Sequence, residues 1–420
     1  MRATKNSGFE WIGEIPTSWE LYKGKYMFTQ RNLRGNTIEL QLLSPTQKYG
    51  VVPQSVYEDR SGMNAVKLNE NANLSALKTI HKGDFCISLR SFQGGFEYSE
   101  YEGVVSPAYQ VFYPVVKVAR GYYKYLFKDS GFIEKMNSYT MTLRDGKNIA
   151  FADFGNTYIP CPPVDEQQRI ADFLDAKCAE IDALTADIQT QINTLEQYKR
   201  SVITETVTKG LIPDVEMKDS GIQWVGQMPL AWDAVPNKYL MYKVKNICPV
   251  YNGEDILSLT TNGVIIRDLN GGGKMPTSFD GYQKVTPGNL LMCLFDIDVT
   301  PRCIGLVKNF GLTSPAYSQF VMRTGAYAPY YYYYYLMVDY TKELLHMAKN
   351  LRHSLTEDQL GAIKAPNPPY EEQVQIAEFL DKKCVEISRV IEDKNKQLAT
   401  LDEYKKSLIF EYVTGKKEIV

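Results

Sequence analysis

A segment near the start of the chain is written again about half-way along it. Ser7-Gly8-Phe9-Glu10-Trp11-Ile12-Gly13-Glu14-Ile15-Pro16 returns as Ser220-Gly221-Ile222-Gln223-Trp224-Val225-Gly226-Gln227-Met228-Pro229, an offset of 213. Ser106-Pro107-Ala108-Tyr109 returns as Ser314-Pro315-Ala316-Tyr317 at offset 208. Pro162-Pro163-Val164-Asp165-Glu166-Gln167 returns as Pro368-Pro369-Tyr370-Glu371-Glu372-Gln373 at offset 206. The match is dense at the opening segment and over the last 45 or so residues of each copy, and sparse between them. Any fold for this chain must therefore supply each feature twice, as a variable body and a near-constant tail. Two copies are too few for a solenoid, which needs three or more units to close its core. A tandem duplication with pseudo-two-fold symmetry is the alternative.

The tails are helical by pattern. Ile170, Phe173, Leu174, Ile181, Leu184, Ile188, Ile192, Leu195, Tyr198, Val202 and Ile203 recur at spacings of mostly three and four, with neither proline nor glycine among them. The second tail repeats the seam with Ile376, Phe379, Leu380, Ile387, Ile391, Leu398, Leu401, Tyr404 and Leu408. A narrow seam held over several heptads is the mark of a coiled coil. Asp165-Glu166 and Glu371-Glu372 follow a Pro-Pro, where acids favour a helix start. Lys209-Gly210 and Gly415-Lys416 are stop signals. About 43 residues make a rod of roughly 64 Å. So long a rod cannot hide its stripe against one body of about 150 residues, so each tail is predicted to partner the other. Long core helices of one globular domain are the competing reading.

Charge sorts the chain in the same way. Residues 162–210 hold nine acids and five bases, and residues 368–416 hold ten and eight, so the tails together carry −6 and the remainder +4. The bodies are the better candidates for phosphate, although weakly so. The overall net charge of −2 gives no warrant for nucleic-acid binding by itself. With 44% apolar residues, disorder is excluded as the main state. No run of 18 apolar residues occurs, so a spanning helix is not expected. The start of the chain lacks a signal-like apolar stretch, and seven cysteines without a Cys-x-x-Cys pair point to a reducing cytoplasm.

Each body mixes strands with turn signals. Phe85–Leu89 and Tyr109–Tyr113 read as strands, as do Leu290–Leu294 and Ser318–Met322. Tyr122–Phe127 and the run Tyr330–Tyr335 read as matching helices, with Pro329 suiting a first helical position. The tyrosine run is expected to pack in a core rather than to stack on bases. Candidate DNA contacts fall in the loops: Thr46, Gln47, Lys48 and Tyr49 in the first body, and Thr260, Thr261 and Asn262 at a similar place in the second. Amides, hydroxyls and a lysine beside a glycine suit base edges and phosphates, although any solvated turn has the same composition. Arg144, Lys147 and Asn148 in one copy, and Arg352 and His353 in the other, precede the proline-rich starts of the rods. Arg90 and Gln93, with Arg302 and Lys308 in the second copy, complete the set.

Several catalytic signatures fail on inspection. Asn367-Pro368-Pro369-Tyr370 spells a base-holding tetrapeptide of adenine methyltransferases, but its copy reads Cys161-Pro162-Pro163-Val164, and no glycine loop for S-adenosylmethionine follows a strand. Pro213-Asp214 with Glu216-Met217-Lys218 is too compressed for a nuclease hairpin. Gly271-Gly272-Gly273-Lys274 lacks the rest of a P-loop. His81, His346 and His353 match no metal spacing.

Two variable halves that open with Ser-Gly-x-x-Trp-x-Gly-x-x-Pro and end in Pro-Pro-x-x-Glu-Gln-x-x-Ile-Ala-x-Phe-Leu-Asp resemble the DNA-specificity subunit of Type I restriction-modification systems. The resemblance covers essentially the whole chain. It implies an α+β fold: two α/β target recognition domains (1–161 and 211–367) joined by two long helices (162–210 and 368–416) in an antiparallel coiled coil. It implies a non-catalytic subunit that reads an asymmetric bipartite site in double-stranded DNA, with the coiled coil setting the gap. Expected partners are two methyltransferase subunits and translocase-nuclease subunits. No cofactor is expected on this chain, with S-adenosylmethionine, ATP and Mg on the partners. The competing classes are a coiled-coil scaffold that reads no DNA and a self-sufficient methyltransferase or nuclease.

Overall fold

Every strand pair formed in the first half of the chain is formed again in the second. In the computed structural model, which describes residues 2–34, 40–64, 74–88, 95–139, 149–271, 276–348 and 353–419, two units emerge. One comprises Met1–Ile188 with Lys396–Val420, and the other Gln189–Asn395. Among the described residues no helix is long and apolar enough to cross a membrane.

The first unit is built on a four-stranded antiparallel sheet in the order Phe28–Gln30, Gln110–Pro114, Phe85–Ile87, Phe96–Tyr98. A hairpin, Leu43–Thr46 with Gly50–Pro53, runs beside the edge strand through a Val51–Ser99 bridge. The core is phenylalanine-rich. Phe28, Phe85, Phe96, Phe112, Phe127, Phe132 and Phe154 interlock, mostly edge-on at 5–6 Å between ring centres, the spacing that the ring quadrupole favours. The second unit repeats the sheet order with Met241–Val244, Ser318–Met322, Leu290–Met292 and Ile304–Leu306. Its hairpin is Leu257–Thr260 with Gly263–Ile266. Its core holds the tyrosines: Tyr330, Tyr331, Tyr333, Tyr334 and Tyr335 of the helix Ala328–Tyr340 are all buried.

Two long helices, Val164–Lys209 and Tyr370–Val413, contribute a segment to each unit. In the first unit Phe173 meets Tyr412 at 4.5 Å between rings, and Lys405 Nζ reaches Asp182 Oδ1 at 2.6 Å. In the second, Gln191 accepts from Lys394, and Lys199 Nζ donates to Ser388 Oγ at 2.8 Å. Within each unit the partner's number falls as the residue number rises, so the paired segments are antiparallel.

The repeated tail motif explains how each helix is seated. Trp19 Nε1 donates to Glu166 Oε2 at 3.0 Å, and Trp232 Nε1 to Glu372 Oε2 at 2.9 Å. Gln167 donates to the Pro162 carbonyl and accepts from Ala119 N, both within 2.9 Å, and Gln373 does the same with Pro368 and Tyr327. Both glutamines are fully buried, so these bonds satisfy polar groups that would otherwise be costly. Tyr122 and Tyr330 donate to the Val413 and Val207 carbonyls, capping the ends of the opposing helices. Gly415 is held at φ +74, and a Cβ there would lie 2.5 Å from Pro16 Cδ, so the stop signal is enforced by packing as well as by backbone. Asn367, from the tetrapeptide that echoes methyltransferases, accepts from Tyr331 OH at 2.8 Å and from Gln373.

Candidate nucleic-acid interface

The candidate contacts that the structure describes sit mainly on the two hairpins. In the first unit Thr46 Oγ accepts from Tyr49 N and donates to the Gly50 carbonyl, each at 3.0 Å. In the second, Thr260 Oγ accepts from Asn262 N at 3.1 Å and donates to the Gly263 carbonyl at 3.0 Å. Both threonines thus spend their hydroxyls on holding the turn, which is why a short β-branched hydroxyl recurs there. What the turns present outward is Gln47 and Lys48 in one case and Thr261 and Asn262 in the other, all exposed.

Around the first turn a cationic cluster forms that sequence reading missed. Tyr49 donates from its hydroxyl to the Arg60 carbonyl at 3.2 Å, and its ring lies under Lys48 Nζ at 5.3 Å and the Arg60 guanidinium at 5.7 Å. Arg60 lies on the helix Gln54–Ser61 that follows the hairpin, so proximity along the chain was the available signal. Two cations flanking an aromatic face suit both phosphate and base contact.

Around the second turn, Asn262 and Lys308 come together on the rim of a cleft of about 550 Å³. Its far wall is the second long helix, which contributes Arg389 and Glu392. The structure thus unites two candidates drawn from separate stretches of sequence. Arg302 is differently placed. Its side chain is 16% exposed, its Nε lies 3.9 Å from Asp339 Oδ2, and its guanidinium packs over Tyr340. The residue is committed inside the unit. His353 is partly exposed, with Nε2 3.8 Å from Asp298 Oδ2. It adopts φ +42, Asp296 adopts φ +47, and Ile297 N donates to the His353 carbonyl. Left-handed backbone at non-glycine residues costs energy and gathers at functional loops. Arg90, Gln93, Arg144, Lys147, Asn148 and Arg352 lie outside the described residues.

Beneath the first turn lies a buried ion pair. Glu97, in the middle of the edge strand, is 1% exposed and accepts from Lys128 Nζ at 2.7 Å. Burial pushes its carboxyl up to about 7, with Lys128 pulling the other way. Asp129 caps the helix Ser130–Ser138 by accepting from Phe132 N, and burial raises it to about 6. Among the described residues no group of histidine, cysteine and carboxylate side chains is arranged to hold a metal ion.

Two β-rich units, each presenting a hairpin with its own surface chemistry and each seated on antiparallel helices, make up a chain built by duplication. Residues 17–194 match the family model of the Type I restriction modification DNA specificity domain. The Type I restriction enzyme MjaVIII specificity subunit of Methanocaldococcus jannaschii is 26% identical over 303 residues, which span 66% of this chain and 67% of the relative. A chain from a study of complex assembly and conformational transition in the type I R-M system has the same fold. It superposes with TM-score 0.71 at 14% identity, covering 96% of this chain and 99% of its own. The HsdS subunit from Thermoanaerobacter tengcongensis superposes with TM-score 0.51 at 14% identity, covering 98% and 100%. Over these stretches the chain is similar to the DNA-specificity subunits of Type I restriction-modification systems, a likeness that supports a DNA-sequence-recognising subunit.

Proposed function

We propose that this chain reads a bipartite, asymmetric DNA target, one half-site per unit, and that it catalyses nothing itself. The observation that carries this reading is the pairing of an element-for-element duplicated scaffold with two unlike hairpin surfaces. Gln47, Lys48, Tyr49 and Arg60 face outward from one, and Thr261, Asn262 and Lys308 from the other. Equal scaffolds address two sites in the same way, whereas unequal side chains select different bases. The exposed apolar residues Leu184, Tyr198, Val385, Val390 and Tyr404 on the long helices would dock two methyltransferase subunits, with translocase-nuclease subunits completing the complex in the cytoplasm. S-adenosylmethionine, ATP and Mg would be held by those partners. Because the bodies carry little excess positive charge, the partners would also supply much of the phosphate contact and the salt dependence.

The test is methylation mapping of DNA exposed to the assembled methyltransferase. The expected result is two unlike half-sites around a gap of fixed length. Inserting two helical turns at matching depths in both long helices should lengthen that gap without changing either half-site. A single continuous motif, or a gap indifferent to helix length, contradicts the proposal.

A further inference from the structure

Glu97 is hard to account for as a stabilising residue. One carboxylate oxygen accepts from Lys128; the other is buried and has no partner among the described residues. An unsatisfied buried acceptor is costly, and a buried ion pair rarely repays its desolvation. The second unit dispenses with it. The strand pairings place Glu97 opposite Cys86, and Gly305 opposite Leu291, in the same position of the same edge strand. At the common offset of 208, Lys128 corresponds to Leu336, which is buried. Both partners of the pair are therefore exchanged together, an ionic pair in one copy for glycine and leucine in the other.

What rests on these positions is the recognition hairpin. In the second unit the space left by Gly305 is filled from the hairpin above: a Cβ there would lie 2.5 Å from Val264 Cγ2 and 2.7 Å from Leu259 Cδ1. In the first unit Lys128 Nζ also reaches the Gln47 carbonyl, within the turn, at 3.4 Å. Gly50, at the end of the turn, sits so close to the edge strand that a Cβ would lie 2.7 Å from the Tyr98 carbonyl. The first hairpin thus stands on a polar support and the second on an apolar one.

We infer that Glu97 and Lys128 are positioning residues that set the turn Gln47–Tyr49 for the half-site read by the first unit. The inference rests on the reading of that turn as a DNA contact. Glu97 orients the Lys128 ammonium, and the ammonium fixes the Gln47 carbonyl, from which Lys48 and Tyr49 project. The pair is then retained for aim and not for stability, and the two properties separate under mutation.

The experiment uses the full chain assembled with its methyltransferase subunits. Methylation is measured on target duplexes altered in one half-site at a time, and thermal midpoints are measured alongside. Glu97→Gln, alone and combined with Lys128→Met so that no buried carboxylate is stranded, should reduce discrimination at the first unit's half-site by about tenfold, the worth of one well-placed base contact. Discrimination at the other half-site should stay as it was, the midpoint should hold or rise, and Lys128→Arg should restore most of the loss. Equal losses at both half-sites, or losses that follow a falling midpoint, assign the pair to fold maintenance and overturn the inference. Gln47→Ala and Lys48→Ala separate the two levels. If these turn variants weaken the half-site and the Glu97 and Lys128 variants do not, the positioning role alone is wrong. If the turn variants are silent, the turn is not a contact, and the inference falls with that reading.

Discussion

Two regions of each unit obey opposite rules. Where the long helix is seated, the two copies share one set of bonds: tryptophan to glutamate, glutamine to two backbone groups, tyrosine to the end of the opposing helix. Under the hairpin that bears the candidate contacts they disagree completely, with Glu97 and Lys128 in one and Gly305 and Leu336 in the other. The seat must reproduce one geometry twice, and buried polar contacts tolerate few solutions. The hairpin needs only a support that holds its own surface, and different surfaces tolerate different supports. Repetition within the chain thus marks what carries load, and divergence falls where the proposed DNA contacts lie.

The largest test of this contrast is at the seat. Trp19→Ala and Trp232→Ala should each destabilise by about 3–5 kcal/mol, the range for emptying a buried aromatic site. Chemical denaturation should find the two costs similar, because each buried indole bonds the matching glutamate; a cost at one site only would break the equivalence. Next comes acidity under the first hairpin. Glu97 is pushed to about 7 by burial, against 4.5 when free, with Lys128 and the neutral Cys86 thiol as its charged and titratable neighbours. The folded state therefore keeps a proton that the unfolded chain releases, so this group's contribution falls as pH rises from about 4.5 to 7. The stability of the native chain should decline across that window by on the order of 3 kcal/mol relative to Glu97→Gln. Asp129, also raised, adds the same trend to both proteins, and parallel curves would refute the assignment to Glu97.

Gly305→Ala forces a methyl group into Val264 and Leu259, for about 1–3 kcal/mol. It should disturb the second half-site on methylation assays and leave the first alone. The smallest effect is expected from Tyr330→Phe, which removes a hydrogen bond to the Val207 carbonyl and should cost about 1 kcal/mol in urea unfolding. Tyr122→Phe should match it in the first unit.

The duplication, the long helices, the tyrosine helix and the position of both turns were legible in the sequence because each is a pattern of spacing. Orientation is not. Thr46 and Thr260 looked like outward donors, yet each bonds its own turn, a choice made by local backbone geometry. Arg302 read as a candidate DNA contact, yet folds in against Asp339 across 37 residues of chain. Glu97 and Lys128 stood 31 residues apart without a motif. Only the shared offset to Gly305 and Leu336, visible once strand register is known, shows that they change as a pair.

In the proposed function each unit reads its own half-site from its own hairpin. Methylation mapping of two variants tests it most directly, one with the turn residues Gln47, Lys48 and Tyr49 replaced by alanine, the other with Thr261 and Asn262 so replaced. Each variant should relax one half of the target, a different half in each case, and leave the gap unchanged. Relaxation of both halves by either variant, or of the same half by both, would contradict it.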